Sequence, residues 1–545
     1  MRNGAYLIAR ETAGLVVRSL GLVLLVRTIG ADAYGVYAGP LVIVGFLAAA
    51  STCGTDLFLL RRGADDERWF SVAYAWLLTS SVTVAFVCVG LAQLIKPHLG
   101  DPRFIPVFQV LVLSLPVNVL WVPGKCRLER SMAFVKIAII EVAGDITLYG
   151  VSLPLAYLGL KQWAAVGGYV AWQTMLLVLS VALAGHRPRL YWSIRSCKQM
   201  LGFGSTAAAG TVLDRARDAA IPLIVGHFGG ASGIGVVTLA MRLADTMGFA
   251  RRATWRLAVV AVGWLHTEPA RLRRALQEST ALQVLAVGPV LAVFAVVSPW
   301  LVPGLFGSRW NQLIEIFPYF ALAQLAASLF TMHGSTLLAI GNARAVALSN
   351  LIRMALVVAG AFAFGPRFGI PGASAAVAIS ILGFVPLHAA LRTFVPVSYR
   401  AAVPLLVMFV PLICAPFARP QYTPLFAIPL AVSFAMPATR RDFAKTSRVV
   451  LTAFAKQTAH RHARRDDNAR VAGPTPARPS QSGSGVSASA ATSSAVAGDT
   501  VTTGKSSARG EVPLLLLDAP QEPSSGRLNA ETARTASSPR HRRHR

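Results

Sequence analysis

Apolar residues in this chain neither mark one face of a helix nor alternate as in a strand. They fill unbroken runs that are apolar all round. A helix rises ~1.5 Å per residue, so about 20 such residues cross ~30 Å of hydrocarbon. On that ruler, runs at 8–28, 36–60, 70–95, 105–123, 137–159 and 164–184 predict six membrane-spanning helices. Six more are predicted at 203–228, 234–258, 279–301, 315–340, 346–365 and 371–391. A shorter, proline-bearing pair at 402–418 and 421–437 takes the expectation to 12–14 spans. Either number is even, which places both termini on one side.

The breaks between runs carry the charge. One alternate set of loops holds Arg61, Arg62, Arg68, Lys125, Arg127, Arg130, Lys136, Arg187, Arg189, Arg195 and Lys198. It continues with Arg251, Arg252, Arg256, Arg271, Arg273, Arg274, Arg344, Arg392 and Arg400. The other set holds Lys96, Arg103, Lys161, Arg309, Arg367 and Arg419. Basic residues accumulate on the cytoplasmic side of spanning helices, so both termini are expected in the cytoplasm.

The apolar pattern stops near residue 440. Arg and Lys then mix with Ala, Ser, Gly, Pro and Thr, as in Ser480-Gln-Ser-Gly-Ser-Gly485. Such a segment cannot bury enough apolar area to offset its ordering entropy. We expect a basic stretch at the membrane surface over 440–470 and disorder beyond it. The organisation read from the chain is 1–200, 201–400, a helix pair at 401–438, and a basic cytoplasmic tail at 439–545. The fold class expected is an all-α polytopic membrane protein: two pseudo-repeated lobes of six helices, the extra pair, then the tail.

Composition agrees. Of 545 residues, 54% are hydrophobic and 14% charged, against roughly 25% charged in soluble proteins. Mean hydropathy is +0.55 despite the polar tail. A string of soluble domains is excluded. The net charge of +28 would suit nucleic acid only if clustered with aromatics on a polar face. Here it sits between apolar runs, so membrane lipid is the expected partner and nucleic acid is not. The closing Arg540-His-Arg-Arg-His-Arg545 fits a cationic tail beside an anionic leaflet.

Five cysteines, Cys53, Cys88, Cys126, Cys197 and Cys414, form no C-x-x-C pair, which argues against a disulfide framework. His227, His333 and His388 lack ligand spacing. No metal, cofactor or catalytic residue is expected. Arg10, Glu11 and Arg18 interrupt any signal-peptide core, so the N-terminus is expected to remain as the first span. The glycine-rich turn at 229–235 has no following Lys-Ser/Thr and reads as a packing turn, not a phosphate loop.

An internal repeat is visible. Thr28-Ile-Gly-Ala-Asp-Ala-Tyr-Gly-Val-Tyr37 has a counterpart in His227-Phe-Gly-Gly-Ala-Ser-Gly-Ile-Gly-Val236, aligned with one inserted residue. Both join one span to the next, and repeated halves of a transporter commonly enclose the substrate site.

Charges inside spans cost roughly 2.5–3.5 kcal/mol each and so normally face protein or a wet cavity. They concentrate in a few helices here. The first carries Glu11 and Arg18, the second Asp56, the seventh Asp214, Arg215, Arg217 and Asp218, the eighth Arg242 and Asp245. Spacing suggests pairs Asp214–Arg217 and Arg215–Asp218 along one helix, or a cavity shared by both lobes. These residues are the candidate substrate site. The guanidinium groups suit a pyrophosphate or acidic sugar, whose oxygens they match in geometry as well as charge. Arg18 has no evident partner but Glu11, and Arg27 is expected to snorkel or cap the outer turn. Glu141 and Asp145, an acidic i,i+4 pair, are the candidate ion-coupling site.

Further motifs carry a family resemblance. Leu24-Leu-Val-Arg-Thr-Ile-Gly-Ala-Asp-Ala-Tyr-Gly-Val-Tyr37 with Gly54 and Arg61 resembles the opening hairpin of Wzx-type polysaccharide flippases. So do Leu305-Phe-Gly-Ser-Arg-Trp310, Ala339-Ile-Gly-Asn-Ala343 and Phe368-Gly-Ile-Pro-Gly-Ala-Ser374. The resemblance runs in order over about 5–400 and omits the tail. Asp214-Arg-Ala-Arg-Asp218 is more charged than that family's pattern. Membership in the multidrug/oligosaccharidyl-lipid/polysaccharide exporter superfamily implies two six-helix lobes around a cavity. It implies a flippase for an undecaprenyl-pyrophosphate-linked oligosaccharide in the bacterial inner membrane, working with polymerase, copolymerase and glycosyltransferase partners. The alternatives are a drug or cation antiporter of the same superfamily, and a membrane glycosyltransferase or polymerase acting on lipid-linked sugars. The last would need a larger outer loop than the dozen or so residues near 302–314.

Overall fold

The computed structural model describes residues 2–61, 67–95, 101–185, 189–248 and 269–418, with 425, 426 and 428. Most of span 421–437 and the whole tail 439–545 therefore lie outside the described residues. Every regular element among the described residues is helical. In chain order they are α1 Arg2–Thr52, α2 Thr55–Arg61, α3 Glu67–Ile95, α4 Phe104–Leu113, α5 Leu115–Leu120, α6 Val122–Arg130 and α7 Phe134–Tyr157. Then come α8 Gln162–Ala184, α9 Ile194–Met247, α10 Pro269–Leu305, α11 Gln312–Ala339, α12 Ala343–Ile379, α13 Val385–Arg392 and α14 Val403–Cys414.

Three of these helices are too long to be single spans. A straight α1 of 51 residues would reach about 76 Å, more than twice the hydrocarbon thickness. It turns instead at Gly30, where φ is 79° and ψ is 171°. α9 turns at Gly230 (φ 60°, ψ −157°) and α12 at Gly369 (φ 61°, ψ −140°). A side chain would clash in that left-handed region, so each hairpin is written by one glycine. Eight described helices have the length and apolarity of a span. The turns divide three of them into two legs each, and the 24-residue α7 completes a polytopic membrane protein with the expected first twelve spans.

The repeat is more regular than the sequence comparison suggests. Gly30 and Gly230 hold the same backbone role, so the two hairpins superpose at a spacing of 200 with no inserted residue. Ala31 then matches Ala231, and Gly35 matches Gly235. These pairs also meet in space. An ideal Cβ on Gly35 would stand 1.7 Å from the Ala231 carbonyl oxygen, and one on Gly235 would stand 2.2 Å from that of Ala31. The second legs of the two hairpins cross backbone to backbone there, in the manner of small-residue packing between membrane helices. At the other end of the same leg, the chain bends at Gly54 (φ 72°), where a Cβ would stand 2.3 Å from the Gly204 carbonyl oxygen. The second leg of α1 thus meets α9 near both of its ends.

Cys126 and Cys197 are buried, and Cys53, Cys88 and Cys414 are half-buried. All are free, as small apolar residues in such cores commonly are.

Candidate functional site

Depth within the bilayer follows from distance to the turn glycines. Arg18 and Asp218 lie twelve residues before Gly30 and Gly230, and Arg242 twelve after Gly230. At ~1.5 Å per residue all three sit about 18 Å from the turn face, close to the middle of a ~30 Å core. Charge at this depth must find protein partners or water.

Arg18 finds Asp145. The register explains how. On the first leg of α1, Gly14, Arg18 and Gly21 share one face, and on α7 Val142, Asp145 and Tyr149 face them. Tyr149 packs where a Gly21 side chain would be, its ring carbon 2.3 Å from an ideal Cβ. Its hydroxyl donates to the Arg18 carbonyl at 3.0 Å. Between these contacts the Arg18 guanidinium donates to the Asp145 carboxylate. The Asp145 side chain is 7% exposed and that of Arg18 51%. Two expectations change. Arg18 pairs with Asp145, while the side chain of Glu11 lies outside the described residues. Asp145 is joined to a candidate substrate residue; its acidic neighbour Glu141 stays within electrostatic reach one turn away.

On α9 the pairing also differs from expectation. Arg217 takes both neighbouring carboxylates, donating to Asp214 at 3.3 Å and Asp218 at 2.9 Å. The pair Asp214–Arg217 forms as spacing suggests, but Asp218 goes to Arg217 rather than Arg215. Asp245 lies in electrostatic reach of Arg217. Arg215 is exposed and has no ion-pair partner among the described residues. Helix spacing alone would equally allow Arg215 to reach Asp218; the two arginines differ in burial, the Arg217 side chain being 17% exposed between the acids and Arg215 lying on the exposed side.

Arg242, on the second leg of α9, reaches across to the first set of helices. Its guanidinium lies in electrostatic reach of the hydroxyls of Tyr34, Tyr37 and Tyr149. These tyrosines were not evident as site residues in the sequence. Their only signal was the i,i+3 spacing of Tyr34 and Tyr37 after the turn glycine. Asp56, in contrast, is far from this level. It lies 26 residues past Gly30, about 39 Å along the helix, beside Cys126, whose thiol donates to the Asp56 carbonyl at 3.7 Å. Asp56 belongs to the far end and not to the mid-membrane cluster.

Arg27 does not simply snorkel. It donates to the carbonyl oxygens of Gly304 at 2.8 Å and Leu305 at 3.3 Å, the last two residues of α10. The last four carbonyls of a helix lack intrahelical partners. Those of Val302 and Pro303 are satisfied by Phe306 and Gly307, and Arg27 takes the other two. A cation at the negative end of the α10 dipole thus ties α1 to α10 on the turn face. Arg27→Ala is expected to loosen this face. The measurement is the rate at which a maleimide labels Ile234→Cys in a chain with the five native cysteines replaced by alanine. Ile234 is buried, against the position a Gly39 Cβ would occupy. Two exposed charge-assisted bonds worth about 1 kcal/mol together give a roughly fivefold faster rate; an unchanged rate would make Arg27 a bystander.

His333 and His388 are joined rather than scattered. The Tyr399 hydroxyl bridges His333 Nε2 and His388 Nδ1, both at 2.7 Å. Burial pushes that hydroxyl up to about 12, so it keeps its proton and fastens the 393–402 segment to α11 and α13. No group of three His, Cys, Asp or Glu able to hold a metal occurs among the described residues.

Paired glycine-turned hairpins crossing at their second legs, with charge gathered at mid-depth between them, define a polytopic helical transporter rather than an enzyme. The fold is that of the multidrug/oligosaccharidyl-lipid/polysaccharide exporters. It matches the lipid II flippase MurJ in an inward closed conformation with a TM-score of 0.60, at 11% identity, over 82% of this chain and all of that one. An inward-facing multidrug resistance MATE transporter of the same superfamily matches with a TM-score of 0.57, at 16% identity, over 71% of this chain and 98% of that one. Residues 24–315 match the family model described as polysaccharide biosynthesis protein, and the chain belongs to that family. Among curated relatives, the lipopolysaccharide biosynthesis protein WzxC of Escherichia coli (strain K12) is 24% identical over 335 residues, 60% of this chain and 68% of its own length. The succinoglycan biosynthesis transport protein ExoT of Rhizobium meliloti (strain 1021) is 21% identical over 367 residues, 67% of this chain and 74% of its own length.

Proposed function

We propose that this transporter flips an undecaprenyl-pyrophosphate-linked oligosaccharide across the bacterial inner membrane for surface polysaccharide synthesis. The observation that carries the reading is Arg215. It is an exposed cation near mid-depth with no ion-pair partner among the described residues, on the same helix as Arg242. A pyrophosphate supplies the missing counter-charge, and guanidinium forks match its oxygens. Arg18 and Arg217, with their carboxylates, lie at a similar distance from the turn glycines along their helices. Glu11, Asp245 and the pair Glu141/Asp145 are assigned to the substrate and ion-coupling roles on position alone. The similarity to WzxC and ExoT, named for lipopolysaccharide biosynthesis and succinoglycan transport, and the fold shared with a lipid II flippase, support a lipid-linked glycan. The lobes are 1–200 and 201–400, with 401–438 as an added pair and 439–545 as a cytoplasmic tail open to polymerase and glycosyltransferase partners. The lobes part alternately at the Gly54–Gly204 face and at the Gly35–Gly235 face, while the lipid chain stays in the bilayer.

The test is translocation by the purified chain in liposomes holding a fluorescent undecaprenyl-pyrophosphate oligosaccharide, read by an impermeant quencher. Protein-dependent loss of inner-leaflet protection is expected. Ethidium efflux without such translocation would instead identify the antiporter reading that the MATE-like fold admits.

Orientation gives a separate expectation. In a chain with the native cysteines replaced, cysteines introduced at 189–195 should be shielded from an impermeant thiol reagent in intact cells, and those at 101–103, 308, 309 and 311 should react. The reverse pattern would invert the topology assigned from the basic loops.

A further inference from the structure

Tyr34 and Trp310 are both 0% exposed, and the Tyr34 hydroxyl and the Trp310 indole N–H have no hydrogen-bond partner among the described residues. Their rings meet edge to face, centroids 5.9 Å apart. Tyr34 stands on the second leg of α1, four residues past Gly30, and Trp310 follows α10, in the other lobe. Aromatic side chains with a polar tip usually find a partner for it when buried, and a buried polar group without one is costly. Two such groups side by side, one from each lobe, point to a second arrangement in which both are satisfied.

The surroundings say what that arrangement is. The pair sits beside the contacts that close the turn face: Arg27 on the α10 carbonyls, and Gly35 against Ala231. If the lobes part here, Tyr34 and Trp310 become the rim of the opening, about 6 Å from the turn glycine along the helix. They then present two ring surfaces, one hydroxyl and one N–H, with the Arg242 guanidinium in electrostatic reach of the Tyr34 hydroxyl. Flat apolar faces edged by single polar groups fit a sugar ring, whose C–H faces stack and whose hydroxyls need donors and acceptors.

We propose that Tyr34 and Trp310 form an exit-side subsite for sugar hydroxyl groups, covered while the lobes are closed on the turn face and uncovered when they part. This rests on the flippase reading for the identity of the occupant, but not for the uncovering itself. The unpaired groups bias the closed state toward opening, and the glycan satisfies them as it leaves.

The experiment uses the full chain carrying Ile234→Cys in nanodiscs, with native cysteines replaced, and compares maleimide labelling rates. Tyr34→Phe and Trp310→Phe each remove an unpaired group and keep a ring. Each is expected to favour the closed state and slow labelling by about five- to thirtyfold, the factor that 1–2 kcal/mol represents. Tyr34→Phe, which keeps the volume of the ring, should also melt at higher temperature; in Trp310→Phe the cavity left by the larger ring offsets that gain. Surface polysaccharide export at limiting expression, with protein abundance matched, should nevertheless fall in both. A packing fault alone would raise the melting temperature and leave export intact. Unchanged labelling rates overturn the uncovering, and slowed labelling with undiminished export overturns the sugar contact. Failure of the unsubstituted chain to restore export in a flippase-null strain sinks the flippase reading, and with it the sugar as occupant.

Discussion

Gly35→Ala is expected to abolish export while leaving the protein inserted and abundant. The added Cβ would fall 1.7 Å from the Ala231 carbonyl oxygen and 2.9 Å from the Gly235 nitrogen. Both are backbone atoms, which cannot rotate away as a side chain would. The turn face then closes only by moving one helix leg off the other. Forcing even one methyl into packed structure costs about 1–3 kcal/mol, and an overlap this deep lies at the upper end. Held apart, the lobes cannot return to the state that loads substrate from the other side. Ile234→Cys should label roughly a hundredfold faster in Gly35→Ala, with Gly235→Ala next, its Cβ meeting the Ala31 oxygen at 2.2 Å. Gly45→Ala provides the control, since it lies on the same leg with nothing within 4 Å of an added Cβ. Normal export by Gly35→Ala would show that this crossing need not close.

Arg18→Ala is the second large effect, and its origin is Asp145 rather than the substrate alone. Removing the guanidinium leaves a carboxylate that is 7% exposed without its counter-charge, in the middle of the membrane. Breaking a fully buried pair costs about 3–5 kcal/mol. Because Arg18 is itself half exposed, about 2 kcal/mol is expected here. Arg18→Ala should therefore lower both melting temperature and export. Arg18→Ala combined with Asp145→Asn removes both charges and should recover the stability. Export separates the roles. If Arg18 also contacts the substrate, the double variant stays defective at limiting expression despite its recovered melting temperature. Full recovery of export would reduce Arg18 to a partner of Asp145, leaving Arg215 and Arg242 to hold the anion.

Arg18 also shows how far a sequence reaches. Its cost inside a span was evident from residue type and position, so it was evident that something must compensate. Which residue does so depended on how α1 leans on α7, and that was set by Gly21 admitting the Tyr149 ring. Similarly, i,i+3 spacing proposed Asp214–Arg217 correctly and Arg215–Asp218 incorrectly, because spacing constrains which side chains can meet but not which of two arginines bends to the acids. The sequence places Arg27 at the outer turn, to snorkel or to cap, but not which helix end it would reach; its partners lie 277 and 278 residues away.

The chain by itself determined the solvent, the helical class, the first twelve spans, the repeat, and the depth of each charge. Those follow from local quantities: transfer free energy per residue, rise per residue, and the backbone freedom of Gly30, Gly230 and Gly369. Tertiary structure alone decided what faces what between the lobes. Gly35 against Ala231, Gly54 against Gly204, Arg242 against Tyr37, and Tyr34 against Trp310 all join residues about 150–280 positions apart. Apolar helices in lipid carry little information about their neighbours, because one greasy face resembles another. Register between them comes from small residues and a few polar contacts, and those become visible only when the helices are placed together.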